Sequence, residues 1–314
     1  GLELKKYIEN QSLSLTTDVR INDFFTQTEW LPRADHFLLG KSLLFDKLTL
    51  NSHSSVGYAK MKTATTPTDP VDAAKFQLLE WEADREGLRA ATRNELSLPL
   101  DLGPVRVVPY VLGEMATWGE DLSGESITRG YGQAGLRSSL PIWRADNSVR
   151  NDLLYLNGLA HKITLESDIY YADASEDIDR FPLYDPLNDD SLEHFQRRLY
   201  FNTFNGVPGG YVPQKFDDRY YALRSGMQGW VTSPSTEIAD DLTVARLGLS
   251  QRWQTKRGLP GQQRIIDWIV FDVHASLFPN ADRDNFGESV GLIDYDFRWH
   301  IGDRFTLLSD GFAD

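Results

Sequence analysis

The segment Gly130-Tyr131-Gly132-Gln133-Ala134-Gly135 has the spacing of a dinucleotide-binding loop. That chemistry requires a buried strand to end there and a helix to open, so that the helix N-terminus can hold a pyrophosphate. Leu136, Leu140 and Ile142 instead continue with period two, so the glycines are small residues within a strand. Asn280, Asp282, Asp284 and Glu288 suggest a calcium loop, but Asn285 stands where glycine is needed and Gly291 where glutamate is needed. A solvated acidic loop is the expectation. The six histidines (His36, His53, His161, His194, His274 and His300) show no paired metal-ligand spacing. Glu166 and Asp168 share a strand face, where neighbouring charges explain them better than a catalytic dyad. There is no nucleophile elbow and no phosphate loop. The sequence therefore predicts no catalytic residue, no metal and no cofactor.

The elements that carry these residues are long alternating strands. In Ile293, Tyr295, Phe297, Trp299 and Ile301 one face is apolar, while Asp294, Asp296, Arg298 and His300 face the other way. Ile163, Leu165, Ile169 and Tyr171 oppose Lys162, Thr164, Glu166 and Asp168. Ala245, Leu247, Leu249 and Trp253 oppose Arg246, Ser250, Arg252 and Gln254. Leu136, Leu140 and Ile142 oppose Arg129, Gln133, Arg137 and Ser139. Soluble strands run about five or six residues, whereas these run roughly ten or more, near the 9–11 that cross a bilayer at a tilt. Aromatics gather near segment ends, at Trp118, Trp143, Trp230, Trp253 and Trp299, as in interfacial girdles.

About twelve such segments occur, near 12–21, 25–39, 46–61, 87–102, 105–119, 127–144, 159–174, 219–233, 241–256, 265–278, 288–301 and 304–312. Asn22-Asp23, Gly103-Pro104 and Gly302-Asp303 have turn chemistry. Two connections are long, 62–86 and 175–218, and the first has room for a short helix around 73–80. On this count Gly302-Asp303 falls at the end with the long loops, against the rule that a barrel keeps short turns at one end. The fold expected is an all-β, antiparallel transmembrane β-barrel of outer-membrane type, with residues 1–314 as one partial barrel region.

Composition is consistent with that expectation. A net charge of −14 excludes a basic nucleic-acid footprint, and the absence of cysteine excludes a disulfide framework or a thiolate metal site. The longest apolar runs, such as Trp268-Ile269-Val270-Phe271, are far short of the roughly 20 residues of a membrane helix. The opening Gly1-Leu2-Glu3-Leu4-Lys5-Lys6 has no signal-peptide pattern, so location has to be read from the body of the chain.

Several motifs resemble one family in their order. Glu95-Leu96-Ser97-Leu98-Pro99-Leu100-Asp101-Leu102-Gly103 and Val107-Val108-Pro109-Tyr110 look like its paired barrel strands, followed by the arginine-led Ile127-Thr128-Arg129-Gly130-Tyr131-Gly132. Leu159-Ala160-His161 with Glu166, then Pro182-Leu183-Tyr184-Asp185, resembles its Arg-His…Glu-Pro strand and Pro-x-x-Asp loop, with Ala160 in place of arginine and Ser167 in place of proline. Leu247 to Gly258 resembles a later strand. The family is the lipopolysaccharide-assembly outer-membrane proteins (LptD, or organic solvent tolerance protein), and the resemblance covers roughly residues 90–312.

The resemblance implies transport of lipopolysaccharide or a related glycolipid into the outer leaflet, with no reaction catalysed. It implies a cell outer-membrane location, a plug lipoprotein and periplasmic lipid-bridge proteins as partners, and a longer protein of which this is an internal barrel piece. No gate residues are assigned. The working surface is then the charged face. Arg129, Arg137, Lys162, Glu166, Asp168, Arg246, Arg252, Asp294, Asp296 and Arg298 are its candidate residues, beside Arg20, Arg33, Lys256, Asp18, Glu29, Asp35 and Asp272. Their guanidinium groups can bind phosphate or neutralise neighbouring carboxylates, and neutralisation is the expected role of any single one. A general porin and a secreted carbohydrate-binding β-protein remain as alternatives.

Overall fold

The computed structural model describes residues 1–74, 76, 78–187, 213–259, 261–302 and 304–314. Among the described residues, thirteen strands form one antiparallel sheet. They are β1 (Leu2–Ile8), β2 (Gln11–Asp18), β3 (Gln27–Leu43), β4 (Leu48–Lys62), β5 (Glu86–Ser97), β6 (Leu100–Leu102) and β7 (Val105–Trp118). β8 (Ile127–Asn151), β9 (Leu156–Ala174), β10 (Leu242–Arg257), β11 (Arg264–Leu277), β12 (Val290–Ile301) and β13 (Phe305–Ala313) follow. Each strand pairs with its sequence neighbours except β6, a short hairpin arm on β7. The path ends on β1 and β13, each with one hydrogen-bonded neighbour among the described residues.

Strand identity follows the alternation. In β11 and β12, Phe271 pairs with Phe297 and Ile269 with Trp299 on one face, while His274 pairs with Asp294 and Asp272 with Asp296 on the other. Such like-with-like rows fix register, because a one-residue slip would turn every side chain to the wrong face.

Five expectations are corrected. Residues 219–233 are not a strand: Asp218–Ser225 is a helix, capped by the Asp217 carboxylate on the Arg219 amide and ended by Gly226 at φ 93°. β1 adds a strand where Lys6 interrupts the apolar face of Leu2, Leu4 and Ile8. Asn22-Asp23 lies in the broader connection 19–26, whereas Gly103-Pro104 does make a two-residue turn between β6 and β7. Asp284 is not a solvated acid: it is buried in the one-turn helix Ala281–Asp284, accepting from the Thr243 amide and Arg283. The helix expected around 73–80 falls at Pro70–Ala73, capped by Asp69, and Lys75 and Gln77 lie outside the described residues. His194 and Asp303 also lie outside them.

With 219–233 removed from the strand count, the connection pattern becomes regular. The connections after β1, β3, β8, β10 and β12 are 9–10, 44–47, 152–155, 258–263 and 302–304. Those after β2, β4, β7, β9 and β11 are 19–26, 63–85, 119–126, 175–241 and 278–289. Since antiparallel strands alternate direction, short turns fall at one end of the strands and longer loops at the other.

The chain divides into two compact units. The first comprises Gly1–Leu98, Tyr110–Ala134 and Tyr171–Leu242, and the second Pro99–Pro109, Gly135–Tyr170 and Thr243–Asp314. Within the first, one core gathers Trp30, Ala59, Met61, Ala116, Trp118, Ile127, Phe181 and Tyr184. A second core, of Ile178, Leu187, Ala222, Leu223, Met227 and Ile238, belongs to the long connection after β9.

Candidate functional site: a charged sheet face clamped on a loop

In the first unit burial runs opposite to the usual order. On β5, Arg89 and Arg93 are buried while Leu88 between β-neighbours is 53% exposed; on β7, Glu114 is buried while Val111 and Met115 are exposed. Arg129 on β8 has no exposed surface. Charged side chains are rarely buried unless paired, and each of these is paired.

Cross-strand register assembles them. Arg33, Gly57, Arg89 and Trp118 form one row across β3, β4, β5 and β7. Phe37, His53, Arg93 and Glu114 form another. A Cβ on Gly57 would lie 2.9 Å from the Arg33 Cα and the Pro32 carbonyl oxygen, so only glycine fits between the two arginines. Trp30 has both guanidinium groups near its ring, Arg33 and Arg89 each 4.8 Å from the centroid. Asp35 holds Arg33 through two bonds of 2.8 and 2.9 Å, and His53 contacts Asp35 at 2.9 Å.

The partner of both arginines comes from the loop. Arg33 Nη1 donates to one oxygen of Asp185 at 2.5 Å and Arg89 Nη1 to the other at 2.6 Å. Glu237 accepts from Trp118 Nε1 at 3.1 Å and from Ser235, and its second oxygen also takes the Asp185 amide at 3.3 Å. Burial alone would raise the Asp185 pKa, but Arg89 and Arg33 hold it below the ordinary range. Burial and the Asp185 charge push Glu237 up, against Arg89.

Two further arginines bind the loop through its backbone. Arg129 donates to the carbonyls of Thr236, Glu237 and Ala239 at 2.5, 3.1 and 3.3 Å. Arg93 donates to those of Gln228 and Trp230 at 3.3 and 3.0 Å. Buried carbonyls need donors, and the strands supply them. Glu114 lies between these arginines, accepting from Arg93 at 2.7 Å and Arg129 at 2.7 Å. Arg129 also packs on Trp118 and Phe181, 5.1 and 5.0 Å from their centroids. The polar face here is thus dry and filled by the chain's own loop. Within the Arg33–Asp185–Arg89 and Arg129 contacts, the Arg89 Nε, Arg89 Nη2 and Arg129 Nε donors are buried without a hydrogen-bond partner among the described residues. Each such group costs on the order of 1–3 kcal/mol.

Most of the other expected residues lie in the second unit, where several form separate pairs. Arg137 stands 3.6 Å from Asp168, and Arg252 is 3.9 Å from Asp267. Asp294 meets His274 at 2.9 Å, and Asp296 meets Arg298 at 2.9 Å. Arg246 packs over Tyr170, while Lys162 and Glu166 are exposed on β9. Of the expected residues, Arg129, Arg33 and Asp35 belong to the cluster. The cluster members Arg89, Arg93, Glu114 and Glu237 are not among the sequence candidates, and Asp185 enters only within the Pro182-Leu183-Tyr184-Asp185 motif. The shared face of Arg89, Arg93 and Glu95 on a period-two strand was the available signal. The Gly130–Gly135 segment runs inside β8, with no helix opening from it.

No family model matches this sequence, and a search of curated proteins finds no significant match either.

Proposed function

We propose that the chain is part of an outer-membrane β-barrel that carries lipopolysaccharide or a related glycolipid into the outer leaflet, without catalysing a reaction. The observation that carries this reading is the inverted sheet: Leu88, Val111, Met115, Ile169 and Leu247 are exposed while Arg89, Arg93, Glu114 and Arg129 are buried. Water disfavours that arrangement and hydrocarbon favours it, since a lipid-facing surface must be apolar. Short turns at one end of the strands and long loops at the other follow the outer-membrane pattern. The ordered motifs, Pro182-Leu183-Tyr184-Asp185 among them, supply the glycolipid assignment.

The filled polar face favours a plugged translocon over a general porin. The polar face of the second unit, with half-exposed Asp294, Asp296 and Arg298, is the surface this reading offers to a plug lipoprotein. Depletion of the protein in cells is expected to strip surface lipopolysaccharide and admit detergents. Unchanged surface lipid after depletion removes the transport reading. A large, steady ion conductance from the intact barrel would return the porin.

A further inference from the structure

The row of Arg33 and Arg89 offers more hydrogen-bond donors than its present partner accepts. Asp185 presents two oxygens, and each is taken by a different guanidinium. Arg89 uses only Nη1, and its Nε and Nη2 are buried without a partner. Arg33 is fixed by Asp35, Arg89 Nη1 also meets Glu237 at 3.4 Å, and both arginines lie against Trp30, so each cation keeps a partner besides Asp185. Two oriented guanidinium groups with spare N–H donors suit an anion with three terminal oxygens and two charges better than a carboxylate.

We propose that Arg33 and Arg89 form a binding site for a phosphate monoester, which the Asp185 carboxylate occupies as an internal stand-in. Binding is an exchange: the phosphate takes the Arg33 Nη1 and Arg89 Nη1 donors and adds Arg89 Nη2, while Asp185 swings away. The loop loses its central anchor and keeps those made by Arg93 and Arg129 to its carbonyls. The site would load the loop's position with the presence of cargo. It rests on the transport reading only for the carrier of the phosphate, which is either a lipid headgroup or a free ion.

The test uses the chain refolded in neutral detergent. Titration calorimetry of D185N against inorganic phosphate is expected to give binding at least about tenfold tighter than wild type, or about 1.4 kcal/mol. In the wild type, saturating inorganic phosphate is expected to speed hydrogen exchange of the Asp185 and Thr236 amides, which bond across the Asp185–Glu237 contact. Strand amides are the internal control. Dodecyl phosphate in the same micelles separates the sources: tighter binding than inorganic phosphate assigns a lipid-borne group, and equal binding assigns the free ion. If D185N does not fold, the wild-type exchange decides alone. Unchanged exchange at Asp185 and Thr236, or equal phosphate affinity in folded D185N and wild type, overturns the site. Neither result depends on surface lipid after depletion, so the transport reading can fail separately.

Discussion

Arg89 and Arg298 both sit on the polar face of a long strand beside an aspartate, yet they live in different solvents. Arg89 is fully buried, shares Asp185 with Arg33 and rests on Trp30. Arg298 pairs with Asp296 two residues away, and more than half of its side chain is exposed. The first unit uses its charges as a dry clamp on a folded-in loop; the second leaves its charges in water. Coulomb attraction is weak in the second setting and strong in the first, where desolvation has also to be offset by near-complete pairing.

The largest effect expected from this contrast comes from removing one buried cation. R89Q leaves Asp185 and Glu237 buried with half their compensation, and such a loss costs roughly 3–5 kcal/mol. Its urea midpoint is expected to drop sharply, with new protease cutting within 213–241. R298Q, made in parallel, is expected to leave the midpoint where it was. Equal losses in both variants would erase the distinction between the two faces.

Backbone crowding gives a second, smaller contrast. At Gly57 an added methyl meets backbone, the Arg33 Cα and the Pro32 carbonyl at 2.9 Å, which cannot move without shifting β3. At Gly248, in the second unit, the nearest atom is the Cδ2 of His274 at 2.9 Å, the end of a half-exposed side chain that can rotate. G57A is expected to cost about 1–3 kcal/mol, and G248A within about 0.5 kcal/mol. Thermal melts of the two variants check the pair, and a costly G248A would show that the second unit is packed as tightly as the first.

The same contrast explains which parts of the molecule are legible in the sequence. β12 was legible because Ile293, Tyr295 and their partners follow period two without a break. The pairs of the second unit lie within or between adjacent strands, as with Asp296 and Arg298 or His274 and Asp294, so charge patterning alone points to them. The clamp joins Arg33 to Asp185 and Trp118 to Glu237 across long stretches of chain. A carboxylate in a loop has no periodicity, so nothing local marks it as an anchor. Residues 219–233 misled for a related reason: Tyr221, Leu223 and Met227 alternate, and the decisive signals were the Asp217 cap and Gly226.

The subtlest expected effect concerns pH and the loop alone. Asp240 accepts from the amides of Ile178 and Asp241, yet burial pushes its pKa up from 3.8 to about 6, with Asp177 and Asp241 adding to the rise. Between those two values the folded state holds a proton that the unfolded chain has released, so loop stability falls as pH rises through that window. Asp185 and Asp121 have the opposite sign. Their pKa values are depressed, so the stability they contribute is present above the ordinary carboxylate value and lost as pH falls below it. The loop is therefore expected to resist proteolysis best near about pH 4 and to lose resistance as pH rises to about 6, and D240N to abolish only that decline. A D240N profile that still declines between about pH 4 and 6 would assign that limb to another group.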